Sequence, residues 1–310
     1  MSLINKTRLF LLILLASLLC ACAGAKPNIA IPATLPKSLV LKKRPDVAIV
    51  LGAGGARGFA HAGVLKVLQD AGVPINLVVG ASAGAFYGAL FADSGNAEQA
   101  KKIMLSATFW DLADLANTPS LKGAIQGYHF QKFLLNNMRA RWFNQLSIPL
   151  VVATTDLKTG KLLAISSGPV APAAEASASM PGAVVPADLY GHILIDGGMI
   201  DPIPVDIAAS YHPKVIIAVN ISQQLSKKMP RTAIGVYDRG YHISWLELSV
   251  LSERKANVVI RPKVGEIGTF EISKKYELFH EGEMAAYKAL PAILKILKEK
   301  HIALCKKSHY

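Results

Sequence analysis

The stretch Ile75-Asn76-Leu77-Val78-Val79-Gly80-Ala81-Ser82-Ala83-Gly84 runs from an apolar segment into a serine flanked by small residues. Residues 75–79 have the composition of a buried strand, and residues 85–92 (AFYGALFA) favour a helix. A strand, a sharp turn and a helix are predicted, with Ser82 at the apex. Gly80 and Gly84, two positions either side, let the chain turn tightly enough to expose the hydroxyl. The helix beginning beneath it directs its amide dipoles at the same point, which favours negative charge there. A serine placed in this way can act as a nucleophile. The bland reading of the same residues is a glycine-rich turn that only packs closely.

The same alternation extends outward. Residues 46–51 (DVAIVL) read as a first buried strand, and residues 58–71 as a helix with Val64, Leu65 and Leu68 on one face, ended by Gly72. This βαβα start predicts a mostly parallel central sheet covered by helices on both faces. Downstream, helices are expected over 97–107 and 130–142, with a loop over 118–128. Strands at 148–155 and 161–166 are joined as a hairpin through 156–160. A short helix over 172–179, a strand over 192–195, a helix over 203–210 and a strand over 214–220 follow. Residues 222–256 are basic and partly helical, 257–261 form a last strand, and 271–301 form terminal helices. One α/β domain, residues 46–303, accounts for the whole pattern.

Three segments sit where chemistry needs them. Gly52-Ala53-Gly54-Gly55-Ala56-Arg57-Gly58 follows the first strand, and glycines there leave amides exposed at a helix start, an anion cradle. Ser82 follows the second strand. Asp196-Gly197-Gly198 follows a later one. In an open parallel sheet, ligands bind at the carboxyl ends of the strands, so these exits converge if their strands are neighbours. Acyl transfer needs a nucleophile, a base and donors for the oxyanion. Ser82, Asp196 and the amides of Gly54 and Gly55 supply one each.

With these residues in this order, the chain resembles the patatin-like phospholipases. The resemblance rests on the glycine-rich loop with Arg57 and Gly58, on Gly80-x-Ser82-x-Gly84, and on Asp196-Gly197-Gly198 followed by Pro202 and Pro204. The segment Ser177-Ala178-Ser179-Met180-Pro181-Gly182 resembles the stretch this family carries ahead of its aspartate. The likeness spans residues 46–205, and the C-terminal third matches no motif. It implies a Ser82–Asp196 dyad without a catalytic histidine, an oxyanion loop over Gly54, Gly55, Ala56, Arg57 and Gly58, and a phospholipid or lysophospholipid substrate. The family pattern has glycine where Ala53 stands, which narrows the backbone at that point. Neither metal nor cofactor is expected.

The chain has 310 residues and a net charge of +13. Residues 1–21 carry Lys6, Arg8 and an apolar run over 9–19, the form of a signal peptide. Leu19-Cys20-Ala21-Cys22 resembles the lipobox of bacterial lipoproteins, which implies cleavage before Cys22 and its acylation; the bland alternatives are an ordinary signal peptide or a short membrane anchor. Ala23, rather than aspartate, then implies the outer membrane, facing the periplasm. Cleavage leaves a charge of +11, suited to anionic head groups; the alternative is a generic basic surface. Residues 22–45 read as a lipidated tether. No nucleic-acid motif is present. With Cys22 acylated, Cys305 has no partner for a disulfide.

Bland readings stand beside the sharp ones. Arg57 either steadies the oxyanion loop or meets a lipid phosphate, or it pairs with a nearby carboxylate. Asp196 is also a common turn residue before glycine. Phe109, Trp110, Trp142 and Phe143 are assigned to core packing rather than lipid contact, and residues 227–239 to a solvated loop rather than a basic flap. The competing functions are an α/β-hydrolase esterase whose triad draws on one of the eight histidines, a dinucleotide-binding protein, and a non-enzymatic lipoprotein on an inactive hydrolase fold. The position of Ser82 on the second strand argues against the first. Arg57, where a Rossmann motif wants glycine, argues against the second.

Overall fold

The computed structural model describes residues 26–120 and 122–305. The expected signal peptide and Cys22 lie outside the described residues. The strands, in chain order, are β1 (Val47–Leu51), β2 (Ile75–Ala81), β3 (Leu115–Ser120), β4 (Gly123–Ile125), β5 (Leu150–Asp156), β6 (Leu162–Ile165), β7 (Ala187–Leu189), β8 (His192–Asp196), β9 (Val215–Val219) and β10 (Val258–Ile260). The α-helices are α1 (Phe59–Asp70), α2 (Ala83–Ser94), α3 (Ala97–Ser106), α4 (Phe109–Leu112), α5 (Tyr128–Asn137), α6 (Val170–Ser177), α7 (Val205–Ser210), α8 (Ala233–Ser252) and α9 (Lys275–Glu299).

The main sheet has the order β10-β9-β1-β2-β5-β8-β7, with β6 also paired to β5. β10, β9, β1, β2 and β5 are mutually parallel. β6, β7 and β8 run antiparallel to their partners. The central strands are apolar on both faces, as a sheet covered on both sides requires. Val47, Ile49, Leu51, Val78 and Leu150 face a core built with α1, α2, α3 and α9. Ala48, Val50, Val79, Val151 and Ala218 face a smaller one built with α7.

Small residues allow the helices to approach. A Cβ on Gly63 of α1 would overlap the Phe279 carbonyl, and one on Gly282 of α9 would overlap the Ala60 carbonyl. The two backbones therefore cross in direct contact. Asn96 caps α3 by accepting the Gln99 amide at 3.0 Å.

Three local readings are revised. Residues 118–128, read as a loop, include part of a β3–β4 hairpin. β4 is pinned by Ala124 N–H donating to the Ala183 carbonyl at 2.9 Å and Val185 N–H to the Ile125 carbonyl at 2.8 Å. Those partners are distant in sequence, so no local pattern announces them. The helix read over 130–142 stops at Asn137, because the buried Asp93 carboxylate accepts the amides of Arg139 and Ala140 at 3.1 and 2.7 Å and draws the chain aside. Residues 26–45, read as a tether, carry no helix or strand but are stitched to the domain. Leu39 N–H donates to Ser166 Oγ at 2.9 Å, Ser167 Oγ donates to the Pro36 carbonyl at 3.1 Å, and Ile31 and Leu35 pack on the core.

Candidate active site

Ser82 sits between β2 and α2 with φ 53° and ψ −120°, a conformation that costs a non-glycine residue energy and is held only by its surroundings. A Cβ on Gly84 would overlap the Leu51 carbonyl, and one on Gly80 would overlap Gly84. Only glycine at both positions lets the turn close. The Ser82 amide donates to Ser177 Oγ at 2.8 Å, and that hydroxyl donates to the Ala153 carbonyl at 2.6 Å. The turn is thereby tied to α6 and β5.

Asp196 approaches from the opposite direction. β6 occupies one edge of β5 over Val152–Thr155, so β2 and β8 share the other edge. β2 ends with Ala81 paired to Ala153, and β8 comes in antiparallel and ends with Asp196 paired to Thr154. The two strands meet tip to tip. The expectation that Asp196, like Ser82, leaves the carboxyl end of a parallel strand is corrected here. What unites them is adjacent pairing positions on one long strand.

Ser82 Oγ donates to Asp196 Oδ2 at 2.6 Å. The second carboxylate oxygen accepts the Gly198 amide at 2.7 Å, and the Asp196 amide donates to the Ser179 carbonyl at 3.0 Å. Both side chains are buried. Burial raises the Asp196 pKa to about 6, with the Ser82 and Gly198 hydrogen bonds opposing the rise. Trp245 of α8 lies over Gly198 so closely that any Cβ there would overlap it.

The glycine-rich loop lies across from this pair. The amides of Gly54 and Gly55 have no hydrogen-bond partner among the described residues, and both residues line the same cavity as Ser82. The wider oxyanion assignment narrows here. The Ala56 amide is committed to the Thr269 carbonyl at 2.7 Å and the Arg57 amide to the Gly54 carbonyl at 3.2 Å. Gly58 is a packing residue whose Cβ would overlap Tyr87. Ala53 donates its amide to the Pro202 carbonyl at 2.8 Å and buries its methyl against the second core face.

Arg57 is buried and has neutral partners, so the carboxylate-pair reading fails. Nε donates to the Ile221 carbonyl at 3.1 Å; Nη1 donates to Gln223 Oε1 at 3.2 Å and the Ile267 carbonyl at 2.8 Å. Burial lowers its pKa to about 10. The guanidinium thus fastens the glycine-rich loop to the C-terminal third, which carries no motif of its own.

The dyad opens into a cavity of about 170 Å³ with a mainly apolar lining that includes Phe59, Phe86, Ile125, Phe130, Met180 and Val184. Phe109, assigned to core packing, also lines it. Phe143 is buried in the core, whereas Trp110 and Trp142 are exposed. One ionisable wall residue escaped the sequence reading. Glu175 of α6 is buried, and desolvation raises its pKa to about 8 against the Ser179 and Gln131 hydrogen bonds. Gly127, at φ +87°, is shaped around it, since a Cβ there would press on its carboxyl.

No histidine among the described residues hydrogen-bonds Ser82 or Asp196. His61 is buried and kept neutral, its pKa lowered by burial to about 4, and Nε2 donates to the Gly52 carbonyl at 2.9 Å at the base of the glycine-rich loop. His192 pairs with Asp156 at 2.6 Å, at the other end of β8. His242 lines the cavity. The described residues include no cluster of three or more His, Cys, Asp or Glu side chains suited to a metal.

The family model for patatin-like phospholipases matches residues 49–209. The chain is 33% identical over 187 residues to rat patatin-like phospholipase domain-containing protein 7, a match covering 57% of this chain and 14% of that one. It is 35% identical over 184 residues to an uncharacterised NTE family protein of Mycobacterium tuberculosis, covering 57% of this chain and 49% of that one. This chain therefore corresponds to less than half the length of either relative. Among solved structures, VipD from Legionella pneumophila superposes with a TM-score of 0.56 at 14% identity, covering 86% of this chain and 71% of that one, which is a likeness of fold. With a family match over half its length, this chain belongs to the patatin-like phospholipases, a family of serine lipid hydrolases.

Proposed function

We propose that this protein hydrolyses the carboxylic esters of phospholipids or lysophospholipids at a membrane surface, with Ser82 as nucleophile and Asp196 as general base. The 2.6 Å hydrogen bond between them, at the wall of an apolar cavity, carries the reading. As Ser82 Oγ attacks the acyl carbon, its proton passes to the Asp196 carboxylate. The carbonyl oxygen takes up the negative charge, and the Gly54 and Gly55 amides, with the N-terminus of α2, receive it. Collapse breaks the ester bond, and the departing alkoxide takes the proton from Asp196. Water then attacks the acyl-serine by the same route and releases the fatty acid. A base with a pKa of about 6 is ionised at neutral pH yet basic enough to accept the serine proton.

The envelope location extends this proposal. Residues 1–21 act as a signal peptide, and acylated Cys22 anchors the enzyme beside an insoluble substrate, raising its effective concentration there. The pattern of the N-terminal residues supports this.

Product analysis on a panel of diacyl and lysophospholipids tests the reading, with Ser82→Ala as control. Free fatty acid from wild type and none from the variant is expected; equal release from both overturns it.

A further inference from the structure

Helix α8 is twenty residues long, yet Ser249 is its only buried residue. Eight of the nineteen large exposed apolar side chains among the described residues fall between Leu225 and Leu251. Met229 is 71% exposed, Ile234 82% and Tyr237 79%, with Val236 and Ile243 also exposed. Such a concentration of apolar surface marks an interaction face rather than ordinary surface scatter.

Its position specifies the partner. Further along the same helix, Tyr241, His242, Trp245 and Leu246 line the catalytic cavity, Tyr241 and Trp245 falling in line with exposed Ile234 and Tyr237 at helical spacing, and exposed Phe270 also lines that cavity. The apolar face is therefore continuous with the rim through which an acyl chain enters. Its charge specifies the partner further. Between Leu225 and Ile243 stand four cations, Lys227, Lys228, Arg231 and Arg239, against one carboxylate, Asp238. Lys227, Lys228 and Arg231 are exposed and have no ion-pair partner among the described residues. Arg239 Nη1 donates to the carbonyls of Ser226 at 2.9 Å and Lys228 at 3.3 Å, folding the basic loop back onto the helix. A basic loop beside an exposed apolar helix face suits the boundary layer of an anionic bilayer. Among the described residues no helix is long and apolar enough to cross the membrane, so the fit is to its surface.

We propose that α8 and the 225–232 loop are the membrane-docking face of this enzyme, inserting Met229, Ile234 and Tyr237 among anionic lipids so that the cavity mouth opens onto the bilayer. The choice of a bilayer as occupant rests on the lipid-hydrolase reading above. An environment-sensitive fluorophore tests it in the full chain with Cys20 and Cys22 replaced by serine, which also removes acylation. One labelled chain carries Ile234→Cys with Cys305→Ser. The other keeps Cys305, which is exposed beside Gly72, before the start of β2 and at the opposite end of that strand from Ser82. With phosphatidylglycerol vesicles, the label at 234 is expected to shift to the blue and be quenched by brominated acyl chains, while the label at 305 does neither. Lys227→Glu with Lys228→Glu should weaken the response at 234 by roughly tenfold. Ile234→Asp with Tyr237→Asp should slow hydrolysis of vesicular lipid by about tenfold or more and leave hydrolysis of a soluble short-chain ester within about twofold of wild type. A silent label at 234, or vesicle hydrolysis untouched by the double substitution, overturns the docking face. So does a wild-type dimer that the double substitution converts to monomers. A wild-type chain inert on the soluble ester counts against the lipid-hydrolase reading instead, and the fluorescence result still decides docking.

Discussion

Ser82 and Asp196 share a hydrogen bond of 2.6 Å although the strands that deliver them run toward each other. β2 and β8 occupy successive stretches of one edge of β5, and the reacting groups sit where the two strand tips meet. Ser82 and Asp196 are set by adjacent residues of one strand, Ala153 and Thr154, and held by the Ser177 hydroxyl and the Gly198 amide, with no histidine hydrogen-bonded to either among the described residues.

Replacing either member should abolish ester cleavage, and replacing Asp196 should also raise stability. Ser82→Ala and Asp196→Asn are each expected to lower kcat by about a thousandfold or more. The folded protein holds the Asp196 proton up to about pH 6, whereas the unfolded chain releases it near 3.8. Between those values the native state binds more proton, so stability falls as pH rises, and above about 6 the full cost is present. Asp196→Asn removes a cost on the order of 3 kcal/mol at neutral pH. Its midpoint in urea should exceed wild type at pH 7, with the gap closing toward pH 4.

The same titration governs rate. Only ionised Asp196 can take the serine proton, so kcat/KM on a soluble ester should rise through an apparent pKa of about 6 and level off above it. A pH–rate profile on the wild type measures this directly.

Ser177 is buried outside the cavity lining, yet it accepts the Ser82 amide. Ser177→Ala leaves that buried donor unpaired, which costs roughly 1–3 kcal/mol. It also loosens the strained turn. A fall in kcat of about ten- to a hundredfold with KM nearly unchanged is expected, because positioning at the transition state is lost while the acyl cavity is untouched.

Glu175 gives a second, independent pH signature. Desolvation keeps its carboxyl protonated up to about pH 8, while the unfolded chain ionises it near 4.5. Stability therefore declines as pH climbs between those values. Glu175→Gln should remove this slope, gaining thermal stability over wild type that grows from pH 5 to pH 8, as calorimetry across that range would record.

The residues that make the turns were legible from local sequence, because their chemistry is local. Gly80 and Gly84 flank the serine for steric reasons, and the βαβα alternation fixes which strands are central. The strand directions around Asp196 were not legible. Residues 192–195 read only as a short strand, and its antiparallel pairing depends on how far β5 extends beyond β2. Arg57 showed its charge but not its acceptors, which are carbonyls and an amide more than 160 positions away in a segment without motif. Residues 222–256 read as basic and partly helical, with 227–239 a solvated loop, whereas 233–239 are the first turns of α8. Its aromatic positions at Tyr241 and Trp245, four apart, were the signal that this stretch of it serves the cavity. The Asp93 cap and the pairing of β4 to residues 183–185 likewise join distant segments.

The central claim, that Asp196 activates Ser82, is tested most directly by the rate of covalent labelling with a fluorophosphonate, read by mass spectrometry of the modified peptide. The account predicts one adduct, on Ser82, forming at least about a hundredfold more slowly in Asp196→Asn. Labelling of another residue, or of Ser82 at the wild-type rate in that variant, would contradict it.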